Sequence, residues 1–237
     1  MVTVKKLFLF LFFITIVSGN AFANQLVRYN LSLKYPDPKQ AYYVAVLKLA
    51  LEETKQEYGD YILEAVPVEM SQGRTSIMVE LEHGIDITWR MTTANFEKRM
   101  LAVYIPVLKG LMGHRIFIIR KGDQKKFPKD ISLEQLKTMI AGQGHDWPDT
   151  EILIQNDYRV VTGSGITLLN MLDKKRYDYF PRALHEPWLE ISNREEFEVE
   201  KNIMLQYPAP LYFFVNNKNT ISVIDDILND GSTLFLP

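Results

Sequence analysis

Between residues 25 and 89 the hydrophobic period of the chain switches back and forth between strand and helix, which confines it to α/β architectures. Residues 26–33 alternate partly and read as a first strand. Asp37-Pro38-Lys39-Gln40 opens a helix, with Asp37 as N-cap, Pro38 at the first position and Gln40 completing a capping box. Tyr42, Ala45, Val46, Leu49 and Ala50 supply its buried stripe, and Gly59 stops it. A second strand over 61–68, a helix over 74–82 ended by Gly84, and a third strand over 85–89 follow. This β-α-β-α-β run predicts a parallel sheet covered by helices on both faces.

After Gly110 and Gly113 the pattern restarts. Residues 114–120 form a strongly apolar strand, and Gly122-Asp123 a turn. Ser132-Leu133-Glu134-Gln135 is a capping box before the next helix. A helix from Pro148-Asp149 to 156, a strand over 158–162, a helix over 166–174, a strand over 177–180 and a helical turn over 186–192 come next. Pro208-Ala209-Pro210 precedes an apolar run at 211–215 and a final helix over 220–228. Residues 108–113 and 207–210 are then the two crossings between lobes, and a ligand site belongs at the carboxyl ends of the strands, in the cleft.

The amino terminus reads as an export leader over residues 1–23. Lys5 and Lys6 precede the apolar run 7–17, Ser18-Gly19-Asn20 loosens the chain, and Ala21-Phe22-Ala23 is a small-x-small cleavage site. That run is too short to span a bilayer, which takes roughly 20 helical residues. Removing 23 residues from 237 leaves 214, enough for two lobes of about 100 each. With no cysteine, disulfides, thiol nucleophiles and cysteine-bound metals are excluded, and Asn24 replaces the cysteine that a lipid anchor requires. The expected product is freely soluble in a bacterial periplasm. Without the two leader lysines the chain carries 25 basic against 29 acidic residues, and a mildly acidic chain offers nucleic acid no basic footprint. The cluster Lys125, Lys126 and Lys129 reads as a solvated loop.

Three strings carry a family resemblance: Gly84-Ile85-Asp86-Ile87-Thr88 followed by Met91-Thr92-Thr93 and Glu97-Lys98-Arg99; Ile131-Ser132-Leu133-Glu134-Gln135-Leu136-Lys137; and Arg176-Tyr177-Asp178. In their order and spacing these resemble the extracellular solute-binding proteins of family 3. Residues 142–149 and 177–182 look like an uncharacterised branch of it. The resemblance implies a two-lobed type 2 periplasmic-binding-protein fold, each lobe a mostly parallel sheet flanked by helices, with a hinge of two crossing segments. Lobe one would be 24–112 plus 207–237 and lobe two 113–206, clamping an amino-acid-like or carboxylate ligand. It also makes Arg99 the guanidinium that forks onto the ligand's carboxylate, with one residue more than the usual spacing from Asp86.

Other candidates come from position. Arg90, Thr92 and Thr93 lie at the carboxyl end of a buried strand, where hydroxyls and free N–H groups accept small anions. Trp89 stacks either on a ligand or in the core, and Tyr35 is either an aromatic wall or a core tyrosine. Gly142-Gln143-Gly144 reads as a flexible turn leading into His145, Asp146 and Trp147, either an anion-binding loop or a plain turn. It lacks the third glycine of a dinucleotide fingerprint. Arg182 and Glu186 stand where the family often places an acid for the ligand's amino group. Arginines from both lobes, Arg99 and Arg182, favour a ligand with more than one acidic group.

Catalysis is not expected. His83, His114, His145 and His185 match no metal-ligand spacing, and His145-Asp146 and His185-Glu186 are adjacent pairs that cannot face one another on a strand. The expectation is a monomer that needs no metal or cofactor and hands a captured metabolite to a membrane permease of ABC type. A sensor docking on a membrane receptor is the alternative, and a cleft enzyme using His145 with Asp146 a weaker one.

Overall fold

The computed structural model describes residues 25–34 and 36–216. The leader, its cleavage site before Asn24, Tyr35 and the helix expected over 220–228 lie outside the described residues. In the first half, β1 (Gln25–Leu31), α1 (Gln40–Glu53), α2 (Lys55–Tyr58), β2 (Tyr61–Pro67), α3 (Gln72–Glu80), β3 (Ile87–Met91), α4 (Ala94–Arg99) and β4 (Leu101–Val103) follow one another. The second half continues with β5 (His114–Arg120), α5 (Leu133–Thr138), β6 (Ile140–Gly144), α6 (Pro148–Gln155), β7 (Arg159–Gly163), α7 (Leu168–Asp173) and β8 (Phe180–Ala183). Then come α8 (Pro187–Glu190), β9 (Phe197–Val199), β10 (Leu205–Gln206) and β11 (Leu211–Val215).

The first sheet has the order β2-β1-β3-β11-β4. As the β-α-β-α-β pattern predicts, β1 runs parallel to both β2 and β3. β11 returns late in the chain and inserts antiparallel between β3 and β4, pairing Leu211 with Met91 and Phe213 with Val103. In the second half β5 is central and pairs antiparallel with β8, β9 and β10, while β6 and β7 are parallel. The pairing is therefore mixed rather than mostly parallel: strands that return across the two halves enter against the direction of those they join.

Alternation along each central strand divides the core. Phe213 and Val215 of β11 pack with α1 residues Tyr43, Leu47 and Leu51, whereas Phe214 packs with Val79 of α3 on the opposite face. β5 is apolar on both faces because Phe117 and Ile119 join one cluster and Ile118 another. Each such side chain, fully buried, contributes about 1.5–3 kcal/mol. Two connections join the halves, 104–113 and 207–210, and the Tyr207 N–H donates to the Gly113 carbonyl at 3.1 Å where they run side by side.

Several local readings shift. The Ser132–Gln135 capping box is present, with Ser132 Oγ accepting at 3.1 Å and Gln135 Oε1 at 2.8 Å. The one expected at Asp37 is absent, because Gln40 Nε2 donates instead to the Asn30 carbonyl at 2.8 Å. The buried stripe of α1 is Tyr43, Leu47, Ala50 and Leu51, and Tyr42, Ala45 and Leu49 are exposed. Tyr43 stacks on Trp89 with centroids 5.6 Å apart, so the sheet selects this face. The strand expected at 177–180 begins at Phe180, because Asp178 turns to accept the Ile140 N–H at 2.9 Å. Gly142-Gln143-Gly144, expected as a flexible turn, is buried strand β6. A Cβ on Gly142 would lie 2.3 Å from the Tyr177 ring, and one on Gly144 2.3 Å from Trp147. These glycines make room for aromatic rings, not for a turn.

Candidate functional site

A cavity of about 940 Å³ opens at the carboxyl end of β3, walled by both halves. The first half contributes the start of α1 (Lys39, Tyr43), residues 87–91 of β3, and the start of α3 (Ser71, Gln72, Thr75). The second contributes His145 to Asp149, Ser164 to Ile166 with Leu169, and Arg182, Glu186 and Glu190. Neighbours on β3 project to opposite faces of the sheet, yet both sets reach a cavity that caps the strand's end.

Arg90 is the unusual group. It is 4 % exposed. Its Nη2 donates to Thr88 Oγ1 at 3.3 Å, and its guanidinium lies over the Phe96 ring, 5.0 Å from the centroid. Among the described residues its buried Nε has no hydrogen-bond partner. Burial pushes its pKa down to about 10, opposed by the charge of Asp146. At neutral pH it remains a cation, held out of water with no carboxylate in contact among the described residues. Such a group is costly unless something anionic meets it.

The opposite wall is neutralised internally. Arg182 forks onto Glu190 at 2.5 and 2.8 Å and reaches Glu186 at 3.0 Å. Lys39 Nζ, from the first half, approaches Glu190 at 3.3 Å and Glu186 at 3.8 Å. Beneath them Arg115 pairs with Asp149 at 2.7 Å, and the Tyr207 hydroxyl donates to the same carboxylate at 2.5 Å. Burial acts to raise the pKa of Glu186, but Arg182, Lys39 and Arg115 together hold it below the usual carboxylate range. Burial likewise opposes the charge on Arg182, and the two glutamates more than restore it.

The cavity brings together seven of the residues singled out from sequence: Trp89, Arg90, His145, Asp146, Trp147, Arg182 and Glu186. Arg99 does not line it. Its guanidinium forks onto Glu80, at 3.0 Å to each oxygen from Nε, in a partly exposed pair between α4 and the end of α3. Thr92 bonds Glu97 Oε1 at 2.6 Å and the Pro210 carbonyl at 3.0 Å, and Thr93 caps α4 by accepting the Phe96 N–H. Gly144 is buried beneath Trp147. Asp86 is forked by Arg28 at 2.8 Å. The argument for several acidic groups from Arg99 and Arg182 falls with these placements, since one is outside and the other already carries two glutamates.

Sequence reasoning missed Lys39, Tyr43, Arg115, Asp149 and Glu190 in the cavity wall. Arg115 left a signal, a charge inside an otherwise apolar strand. Lys39 left none, because the helix start it belongs to looked like ordinary capping. His145 is tied to Gly163, through its backbone N–H and its Nδ1 at 3.1 Å each, and not to Asp146. Among the described residues no group of three acidic or histidine side chains is placed to hold a metal, and no helix is long and apolar enough to cross a membrane.

The architecture has solved counterparts. A Salmonella typhimurium periplasmic binding protein with high arginine specificity superposes with a TM-score of 0.62 at 13% identity, over 87% of this chain and 92% of that one. The second Venus-flytrap domain of Bordetella pertussis BvgS gives 0.65 at 12% identity, over 87% and 88%. This is the type 2 periplasmic-binding-protein fold. The ligand-binding core of GluR0 from Nostoc punctiforme, solved with L-glutamate, shares it with a TM-score of 0.59 at 12% identity, over 87% and 92%. At such identities the likeness concerns the fold alone. No protein-family model matches the chain, and neither does the sequence of any curated protein.

Proposed function

We propose that the chain is an exported solute-binding protein whose two lobes, 24–112 with 207–237 and 113–206, close around a small organic anion and deliver it to an ABC-type permease. One observation carries the reading: Arg90 Nε, buried, charged and, among the described residues, without a partner at the cavity wall. A ligand carboxylate would supply the charge-assisted bond it lacks. Closure is supported by contacts that cross the cavity, Gly73 N–H to Asp146 at 2.9 Å and Lys39 to Glu190 at 3.3 Å. A ligand touching both walls favours the closed state, whereas one with equal affinity for both states shifts nothing. That proteins of this fold bind arginine and glutamate supports capture over catalysis.

The test is a thermal-shift screen of the mature chain against carboxylates, amino acids and cations, followed by small-angle scattering with any hit. The expected result is stabilisation by one or more organic anions together with a smaller radius of gyration. Stabilisation confined to neutral or cationic compounds would overturn the proposal.

A further inference from the structure

We propose that the occupant is an amine-free monoanion with a flat apolar body, of the arylalkyl-carboxylate class. This rests on the capture reading above and specifies its ligand.

The charges of the cavity set the head group. Six described carboxylates line the cavity, and each is already engaged by a donor. Glu186 and Glu190 hold Arg182 and Lys39, and Asp149 holds Arg115 and the Tyr207 hydroxyl. Asp146 takes the Gly73 N–H, Asp37 takes Lys39, and Glu69 takes the Ser32 hydroxyl at 2.6 Å. Four of the six, Asp37, Asp149, Glu186 and Glu190, already have a cation in contact, whereas Asp146 offsets the charge of Arg90 and Glu69 is exposed, so a ligand ammonium finds little uncommitted buried charge. Arg115 and Arg182 have their charges met by carboxylates in contact, whereas among the described residues Arg90 has none. Among the described residues of the wall, Arg90 is a buried cation with no carboxylate in contact, and one ligand carboxylate would meet it.

The walls set the body. Tyr43 and Trp89 line the cavity from the first half, Trp147, Phe180 and Leu169 from the second. Both aromatic pairs lie with nearly parallel rings, Tyr43–Trp89 at 29° and Trp147–Phe180 at 17°. A space of about 940 Å³ is far more than a bare small anion fills, and pockets of this size ordinarily bury most of a ligand of many atoms against apolar side chains. A planar apolar body gains from burial against such rings in a way that a short polar one does not.

The experiment is calorimetric titration of the mature protein with phenylacetate and phenylpyruvate, L-phenylalanine, acetate, succinate and L-glutamate. Tryptophan fluorescence, reporting on Trp89 and Trp147, is followed alongside. The expected result is that an aryl monocarboxylate binds at least about tenfold tighter than L-phenylalanine, acetate and succinate, with a change in tryptophan emission that Trp147→Leu diminishes. Binding of L-glutamate or succinate in preference to the aryl acids overturns this inference and leaves capture of an organic anion standing, whereas binding of L-phenylalanine alone overturns both. Silence of every anion removes both.

Discussion

The Asp146 carboxylate, on the second half of the molecule, accepts the backbone N–H of Gly73 at 2.9 Å, and Gly73 lies at the start of α3 on the first half. One side chain thus ties the amino end of a helix to the facing wall, where backbone N–H groups and the helix dipole favour a negative charge. It also partly offsets the charge of Arg90. Replacing Asp146 by Ala removes a charge-assisted bond worth about 1 kcal/mol at a partly buried site. Closure should weaken, and ligand affinity should drop by about fivefold. Distance labels across the cavity, read with and without ligand, would reveal the shift, and an unchanged distance distribution would dismiss the latch.

Arg90→Met should separate stability from binding. Folding moves Arg90 into an environment that lowers its pKa to about 10, so at pH 7 the folded state pays to keep a proton the unfolded chain holds freely. A methionine of similar length should raise the free energy of unfolding of the ligand-free protein by about 2 kcal/mol. The same change should abolish anion binding. Urea unfolding and calorimetry check the two halves, and a destabilised variant that still binds would remove Arg90 from the site.

Binding should depend on pH through the same group. The anion meets the protonated guanidinium, and ligand contact raises its pKa above the value near 10 of the free protein. Affinity should be flat from neutral pH to about 9 and then fall as pH rises through 10. Titrations at stepped pH would show this, with Arg90→Lys as a comparison that loses binding earlier.

Arg99→Ala is expected to leave ligand affinity unchanged. Its pair with Glu80 is partly exposed, with side-chain exposures of 35% and 27%. Such pairs contribute about 0.2–1 kcal/mol, so the melting temperature should move by only a few degrees. Loss of binding in this variant would return the carboxylate clasp to α4.

Glu186→Gln should be costly. It leaves Arg182, Lys39 and Arg115 short of a buried carboxylate, and breaking a buried ion network typically costs about 3 kcal/mol. Because three cations hold the Glu186 carboxyl below its ordinary range, its stabilisation is complete above the unfolded value and is lost as pH falls through the folded one. The difference between wild type and variant should therefore shrink on acidification below about pH 4. A constant difference across that range would mean that packing, not charge, accounts for the loss.

The periodic features of this chain were legible without coordinates. The parallel β1-β2-β3 core, the apolar strand at 114–120 and the box at Ser132 all rest on spacing within a few residues. Such signals are local, because the side-chain period and the cap chemistry act over one or two turns. The glycines of β6 were misread for the same reason. Their role depends on Tyr177 and Trp147, a contact invisible to a local pattern.

The choice between Arg90 and Arg99 belonged to tertiary structure alone. Both are arginines just beyond the third predicted strand. Alternation along β3, burial beneath Phe96 and the approach of Asp146 from the other half put one into the cavity, while Glu80 drew the other to the surface. Whether a charge is met is likewise a property of the fold: Arg182 is neutralised by Glu186 and Glu190 because the start and end of α8 lie within ion-pair reach of it. Sequence by itself determined which segments alternate, where they cap and that the chain is α/β. Which cations remain unpaired was decided by how two sheets, built from segments far apart in the chain, meet around a common cavity, because electrostatic pairing acts through space and not along the backbone.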